Sequence, residues 1–338
     1  MIVLVTGASG LLGSHVVDLL LRRGESVRAL VRPDDSSPGA SHLARGGAEI
    51  CVGDLVDPAS MENAVRGADV VLNCAARTGP WGPRREYENI NVWGLKTLVE
   101  VALAAGVRRI VHVSSVTVHG NDVRGEADES APLRVEPNPY SWSKVMGERL
   151  LQRLIADREA PITIVRPGWI YGPDDVSSFA RFAAMVHRRR MPVIGSGRNH
   201  VPLVYVDDVA HGILLASESA QAAGRVYLLV NDERVTQSAY LGAIARELGV
   251  PAPTLHVPYR LALGLGGLAE WLGHISGRQA APPVTRYGMQ MLGGENRFVI
   301  TRARRELGFS PEVALMEGVS RGVAWYRTLA GEANSLGG

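Results

Sequence analysis

A chain of 338 residues is long enough for one large domain or two modest ones, and 46% hydrophobic with 21% charged residues is ordinary globular composition. A formal charge of +2 gives no footprint for nucleic acid. Two cysteines, Cys51 and Cys74, lie in apolar strand-like runs without metal-ligand spacing. They predict buried free thiols in a reducing, cytoplasmic compartment and no metal site.

In chain order, short apolar strands near 3–6, 27–31, 49–52, 70–73, 110–114 and 162–166 alternate with helical patterns near 11–23, 60–66, 92–105 and 140–157. That alternation predicts an α/β fold with a doubly wound parallel Rossmann sheet. The apolar start runs straight into a glycine turn and reads as a strand, not a signal peptide. Residues 1–170 form the expected dinucleotide-binding core. After Arg166 glycine and proline multiply, and 171–330 reads as a smaller substrate-binding region. Strands near 203–207 and 226–230 are expected to return to the main sheet, so the two regions interleave. The final SLGG reads as a frayed end. The stretch 259–275 (YRLALGLGGLAEWLGHI) is too short and glycine-broken to span a bilayer. It reads either as a helix packed beside the active site or as a lipid-facing entry helix touching a membrane surface.

Gly7, Gly10 and Gly13 form T-G-A-S-G-L-L-G between the first strand and the first helix. A tight glycine turn lets backbone approach a pyrophosphate, and the helix N-terminus, with Leu11 and Leu12, supplies N–H donors. The second strand ends at Val31-Arg32-Pro33. An arginine there suits the 2′-phosphate of NADP, whereas an acid would suit the ribose of NAD. Arg32 therefore favours NADP over NAD, against the alternative of a solvated surface arginine beside Asp34 and Asp35. Asp54, followed by Leu55, is placed to accept from the adenine amino group, or serves as a cap or turn residue.

Tyr140 and Lys144 share one helix face at i and i+4. A free phenol titrates near pH 10, and an adjacent ammonium would lower that value. Nine tyrosines and two lysines in 338 positions make Y-x-x-x-K a chance event only about 0.05 times (9 × 2/338), so the motif is informative. The other lysine, Lys96, reads as a helix-surface residue. Ser115 ends the fifth strand, where ligands meet an open parallel sheet, and can hold a substrate oxygen.

T-G-A-S-G-L-L-G, D-L at 54–55, N-C-A-A at 73–76, Asn91, S-S-V-T-V-H-G, Y-S-W-S-K, R-P-G-W-I-Y-G-P at 166–173 and V-Y-V-D-D-V-A at 204–210 resemble, in this order, the extended short-chain dehydrogenases/reductases. The resemblance covers nearly the whole chain. It implies a Ser115/Tyr140/Lys144 triad, cofactor contacts from Ala75, Ala76, Pro167, Gly168 and Ile170, and a homodimer through helices near 92–105 and 140–155. His119 stands where the family more often has tyrosine. Val116-Thr117 after Ser115 replace the Asp-Glu pair that dehydratases need. A-A-R-T-G-P-W-G-P at 75–83 and P-P-V-T-R-Y-G-M at 282–289 resemble the 3β-hydroxysteroid dehydrogenase-like and 2-alkyl-3-ketoacid reductase branch. Dihydroflavonol-reductase-like enzymes are close competitors.

Thr78, Trp81, Trp142, Trp169 and Tyr171 fall on segments expected to flank the nicotinamide, and aromatic walls suit a small hydrophobic substrate. The expectation is hydride transfer between NADP or NAD and a bulky hydrophobic ketone or secondary alcohol: sterol-like, β-ketoacid-like or flavonoid-like. The alternatives are an NAD-dependent nucleotide-sugar epimerase or dehydratase, and a non-catalytic dinucleotide sensor.

Overall fold

The computed structural model describes residues 1–35, 38–123 and 125–335; the chain end read as frayed lies mostly outside them. Seven parallel strands form the central sheet, in spatial order Val226–Leu229, Ile162–Pro167, Arg109–Val113, Val70–Asn73, Ile2–Thr6, Ser26–Val31, Glu49–Val52. Strand order reverses between Ile2–Thr6 and Val70–Asn73, whose register pairs Thr6 with Asn73. The crevice at such a reversal is where open α/β sheets bind ligands.

The strands Val70–Asn73 and Ile162–Pro167 are buried at every residue. Helices cover both faces, which is why these strands read as continuous apolar runs. Alternation sorts their side chains into two cores. Val3, Val5, Leu72, Val111 and Val165 pack against Val16 and Leu20 of the helix Leu11–Arg22 and Val209 and Ile213 of the helix Val206–Glu218. Leu4, Val71, Ile110 and Ile164 pack against Leu98 and Val99 of the helix Leu95–Ala104 and Leu151 of the helix Pro139–Arg158.

Beyond Arg166 the structure departs from expectation in two ways. The strand Val226–Leu229 does extend the main sheet, but Leu203–Tyr205 pairs with Trp169–Tyr171 in a separate two-stranded sheet. The helices Gln237–Leu248 and Leu315–Ser335 have no counterpart in the sequence reading. Upstream, one helical run from Arg84 to Ala104 contains a π-helical turn at Asn89–Gly94. Among the described residues no helix is long and apolar enough to cross a membrane.

Candidate active site

The glycine turn is sterically obligatory. Gly7 has φ +62°, and a Cβ on it would lie 2.7 Å from the backbone of Ala75. A Cβ on Gly13 would lie 2.0 Å from the Gly7 carbonyl oxygen. Gly10 differs: its Cβ would meet only that same oxygen at 3.3 Å and otherwise open space. Gly10 caps the helix Leu11–Arg22 without a side-chain hydrogen bond. The first intrahelical bond runs from the Ser14 N–H to the Gly10 carbonyl, leaving the N–H groups of Leu11, Leu12 and Gly13 without helical acceptors. An open cradle of donors at the positive end of a helix fits a dinucleotide pyrophosphate. Behind it, the Thr6 hydroxyl donates to the Asn73 carboxamide oxygen (2.6 Å) and accepts from the Ala75 N–H (3.3 Å). Ala76 continues the same loop.

At the end of the second strand the Arg32 side chain is 61% exposed, with Nε 3.8 Å from the Asp34 carboxylate. The Ser9 hydroxyl, inside the glycine turn, donates to Asp35. Basic and acidic groups thus stand together at the position that distinguishes the two cofactors. Asp54 accepts the Val56 N–H at 3.1 Å, a turn role, while Asp57 caps the next helix. Leu55 is buried against Gly94.

Asn138 caps the helix Pro139–Arg158 by accepting the Ser141 N–H (2.8 Å), with proline at its first position. This cap puts Tyr140 in the first turn and Lys144 one turn on. Ser115 caps the short 3₁₀ turn Val116–His119 by accepting the Thr117 N–H (3.2 Å). Its hydroxyl faces the Tyr140 phenol and favours the phenolate form. The triad is therefore assembled from a strand end and a helix start.

Electrostatics at the triad differ from the simple expectation. Burial, reinforced by the Tyr287 and Tyr87 phenols, pushes Tyr140 above its ordinary value, and only the Ser115 hydroxyl acts the other way. The Lys144 ammonium donates to the Val113 carbonyl at 2.8 Å and stands 6.0 Å from the centre of the Tyr140 ring. Burial lowers Lys144 to about 8, against the raising influence of Glu148 and Cys74. Desolvation thus outweighs charge–charge attraction in the protein chain itself. The pair consists of a neutral phenol, which is the proton-donating form, and a cation that titrates just above neutrality. Cys74 is a free thiol pushed up by burial to about 12, hence inert.

Under the triad lies a buried network. Arg166 holds Glu148 through Nε (2.9 Å) and Nη2 (2.6 Å), and Ser114 donates to the same carboxylate. Arg166 Nη1 donates to His119 Nε2 at 3.0 Å, which requires a neutral imidazole; burial and the guanidinium lower His119 to about 4. Asn91, in the π turn, accepts the Arg77 N–H (2.7 Å) and donates to the Arg77 carbonyl (2.9 Å) and the Ser143 hydroxyl (2.8 Å). It fastens the 75–83 loop to the helix that carries Tyr140.

Three of the residues expected at the substrate make packing contacts of their own. Trp142 follows Tyr140 by two positions, so it faces another side of the helix, where Arg84 stacks on it at 3.8 Å. Tyr171 is 2% exposed among Phe179, Tyr205 and Tyr240. Trp169 donates to Ser178 (3.1 Å) and meets Phe182 edge-on at 5.2 Å. Strand alternation explains both: 169 and 171 share the face that meets the helices, and Ile170 takes the opposite face. Pro167 is buried, and Gly168 is needed because a Cβ there would lie 2.1 Å from the Pro202 carbonyl oxygen. Thr78 is exposed. Trp81 stacks on His274 (4.3 Å) and donates to the Arg278 carbonyl (3.1 Å), bracing the loop against the helix Tyr259–Ile275.

Sequence reasoning missed Tyr287. Its ring meets the Tyr140 ring edge-on at 6.2 Å, and its hydroxyl faces Thr117. No spacing rule joins residues so distant in the chain. It also missed Tyr87, whose hydroxyl donates to the carbonyls of Gly79 and Trp81 (2.8 Å each) and shapes the 75–83 loop.

A Rossmann sheet with a donor-lined glycine turn and a Ser/Tyr/Lys triad defines a short-chain dehydrogenase/reductase. The chain belongs to the NAD dependent epimerase/dehydratase family, whose model matches residues 3–229, and to its extended short-chain dehydrogenase/reductase class. It is 32% identical over 337 residues to the Escherichia coli (strain K12) protein YbjS, covering 96% of this chain and 97% of that one. It is 29% identical over 332 residues to a 2-alkyl-3-oxoalkanoate reductase of Stenotrophomonas maltophilia, covering 94% and 97%. It is 28% identical over 337 residues to the decarboxylating sterol-4-alpha-carboxylate 3-dehydrogenase of Mus musculus, covering 96% and 91%. Among solved structures, gox2253 matches with TM-score 0.81 at 30% identity, covering 97% and 98%. The UDP-glucuronic acid 4-epimerase of Bacillus cereus matches with TM-score 0.77 at 21% identity, covering 97% and 99%, which shows the shared fold.

Proposed function

We propose that this enzyme reduces bulky hydrophobic ketones, or oxidises the matching secondary alcohols, and prefers NADP to NAD. The carrying observation is the juxtaposition of Ser115 with the buried Tyr140 phenol, walled edge-on by Tyr287, with Lys144 one helical turn on. A nicotinamide dinucleotide, held by the glycine turn Gly7–Gly13 and the N–H groups of Leu11 and Leu12, would supply the hydride for the carbonyl carbon. Ser115 and Tyr140 hold the carbonyl oxygen, and the neutral Tyr140 phenol donates the proton that completes the alcohol. Lys144, anchored on Val113, places positive charge beneath the phenolate this leaves. The similarity to a 2-alkyl-3-oxoalkanoate reductase and a sterol dehydrogenase supports a lipophilic substrate. Arg32 supports NADP, and two unpaired thiols support a cytoplasmic setting. A homodimer through the helices near 92–105 and 140–155 belongs to the same reading, and light scattering tests it.

The deciding experiment follows NADPH absorbance with long-chain 2-alkyl-3-ketoacids, sterol ketones and flavonoid ketones, in wild type and Tyr140→Phe. Wild type is expected to consume NADPH. The variant is expected to lose at least about 100-fold in turnover while keeping its cofactor affinity. Interconversion of UDP-sugars with tightly retained NAD, and no net NADPH consumption, would overturn the proposal in favour of an epimerase.

A further inference from the structure

The helix Tyr259–Ile275 reverses the usual polarity of a surface helix. Its buried residues are the small ones, Ala262, Gly266 and Gly273. A Cβ on Gly266 would lie 2.8 Å from the Arg286 backbone nitrogen, and one on Gly273 would lie 2.9 Å from the Trp81 ring. The large apolar residues point outward: Leu261, Leu265, Leu268, Trp271, Leu272 and Ile275 are each at least half exposed. Positions 261, 265, 268, 272 and 275 advance by alternate steps of four and three, which is one continuous stripe. Of sixteen exposed large hydrophobic residues among the described ones, six stand on this single 17-residue helix. Such a concentration marks a contact surface.

Charge decides what covers it. Arg260 is exposed at one end of the helix, His274 and Arg278 are exposed at or just beyond the other, and the exposed Arg286 lies against Gly266 and Gly267 at its middle. The helix's one acid, Glu270, accepts the Arg286 backbone N–H at 2.8 Å. A second copy packed on the stripe in antiparallel fashion would set Arg260 against Arg278, and in parallel fashion Arg260 against Arg260. Both juxtapose like charges. A bilayer surface with anionic headgroups takes the apolar stripe and the basic ends together. Trp271 flanks the stripe, as amphipathic rings do at such interfaces. At about 1.5 Å per residue the helix is roughly 25 Å long, short of the ~30 Å hydrocarbon core, so it lies in the membrane plane.

The helix also borders the reaction site. It packs on the helix Arg286–Gly293, which carries Tyr287, and braces Trp81 through His274 and Arg278. We infer that Tyr259–Ile275 docks on anionic membrane surfaces, so that the enzyme draws amphiphilic ketones directly from lipid. The second clause rests on the reductase reading above.

The test is flotation of the full-length protein with vesicles of phosphatidylcholine alone or mixed with phosphatidylglycerol. Wild type is expected to float with the anionic vesicles, and less at high salt. Leu268→Glu is expected to reduce the bound fraction at least about tenfold while its circular dichroism melt stays unchanged. No flotation with anionic vesicles, or equal flotation of the variant, overturns the inference. So does a wild-type dimer in light scattering that Leu268→Glu dissociates, since a second copy would then own the stripe. Ketone turnover without flotation removes the docking surface and leaves the reductase. Flotation sensitive to Leu268→Glu with no ketone turned over keeps the docking surface and removes the reductase.

Discussion

At the residue scale, burial sets the protonation states. Lys144 at about 8 is the triad group that titrates near neutrality, because burial holds the Tyr140 phenol well above it. Below about 8 the ammonium is present; above it the charge beneath Tyr140 is lost. The value of kcat/KM for ketone reduction should therefore be flat near neutrality and fall as pH rises through about 8. A profile that stays level to pH ~10 would remove Lys144 from its role. His119 gives a second, purely structural prediction. The unfolded chain protonates it below about 6.5, whereas the fold resists protonation until about 4. The unfolded state then binds more protons across that window, so stability falls as pH drops through it. The shift from 6.5 to about 4 corresponds to at most about 3 kcal/mol. Urea midpoints measured from pH 7 to 4 in wild type and His119→Gln should show a shallower acid slope in the variant.

At the element scale, backbone approach explains which glycines matter. A Cβ on Gly13 would sit 2.0 Å from the Gly7 carbonyl, so Gly13→Ala must move the helix start or the turn. Overpacking of this kind destabilises by about 1–3 kcal/mol and displaces the phosphate donors. Dinucleotide affinity is expected to fall at least tenfold, measured by fluorescence titration. Gly242, inside the helix Gln237–Leu248, has nothing within 4 Å of its ideal Cβ. Alanine there should instead stabilise by about 0.5–1 kcal/mol. Wild-type affinity in Gly13→Ala would show that the donors lie elsewhere.

At the scale of the whole molecule, the buried Arg166–Glu148 pair joins the sixth strand of the sheet to the catalytic helix, and Asn91 joins that helix to the 75–83 loop. A dinucleotide held at the strand-order reversal would bridge the halves of the sheet, so its binding should register in global stability. A ligand at 100 times its Kd stabilises the native state by about 2.7 kcal/mol. NADPH should raise Tm more than NADH at equal concentration, and Arg32→Glu should reverse the order. Equal shifts in wild type would leave Arg32 as a surface residue and return the choice to Asp34 and Asp35.

The glycine turn and the proximity of Ser115, Tyr140 and Lys144 were legible from the chain because their determinants are local: strand–turn–helix punctuation and a Y-x-x-x-K turn each act within a few residues of their neighbours. The parallel sheet was legible because its strands are apolar throughout. The substrate end was not, because it is assembled from distant segments. Trp169 and Tyr171 alternate onto the face that packs on Phe182 and Phe179, and Trp142 carries Arg84 stacked on its ring, packing that chain spacing does not reveal. Tyr287 reaches Tyr140 only through the tertiary packing of a late helix. The protonation order of Tyr140 and Lys144 was likewise set by burial, which no spacing reveals. By itself the sequence determined the Rossmann fold and the local turns that bring Ser115, Tyr140 and Lys144 together. Tertiary structure alone decided which side chains wall that site and which way the helix Tyr259–Ile275 turns its apolar stripe, because both depend on which faces other elements cover.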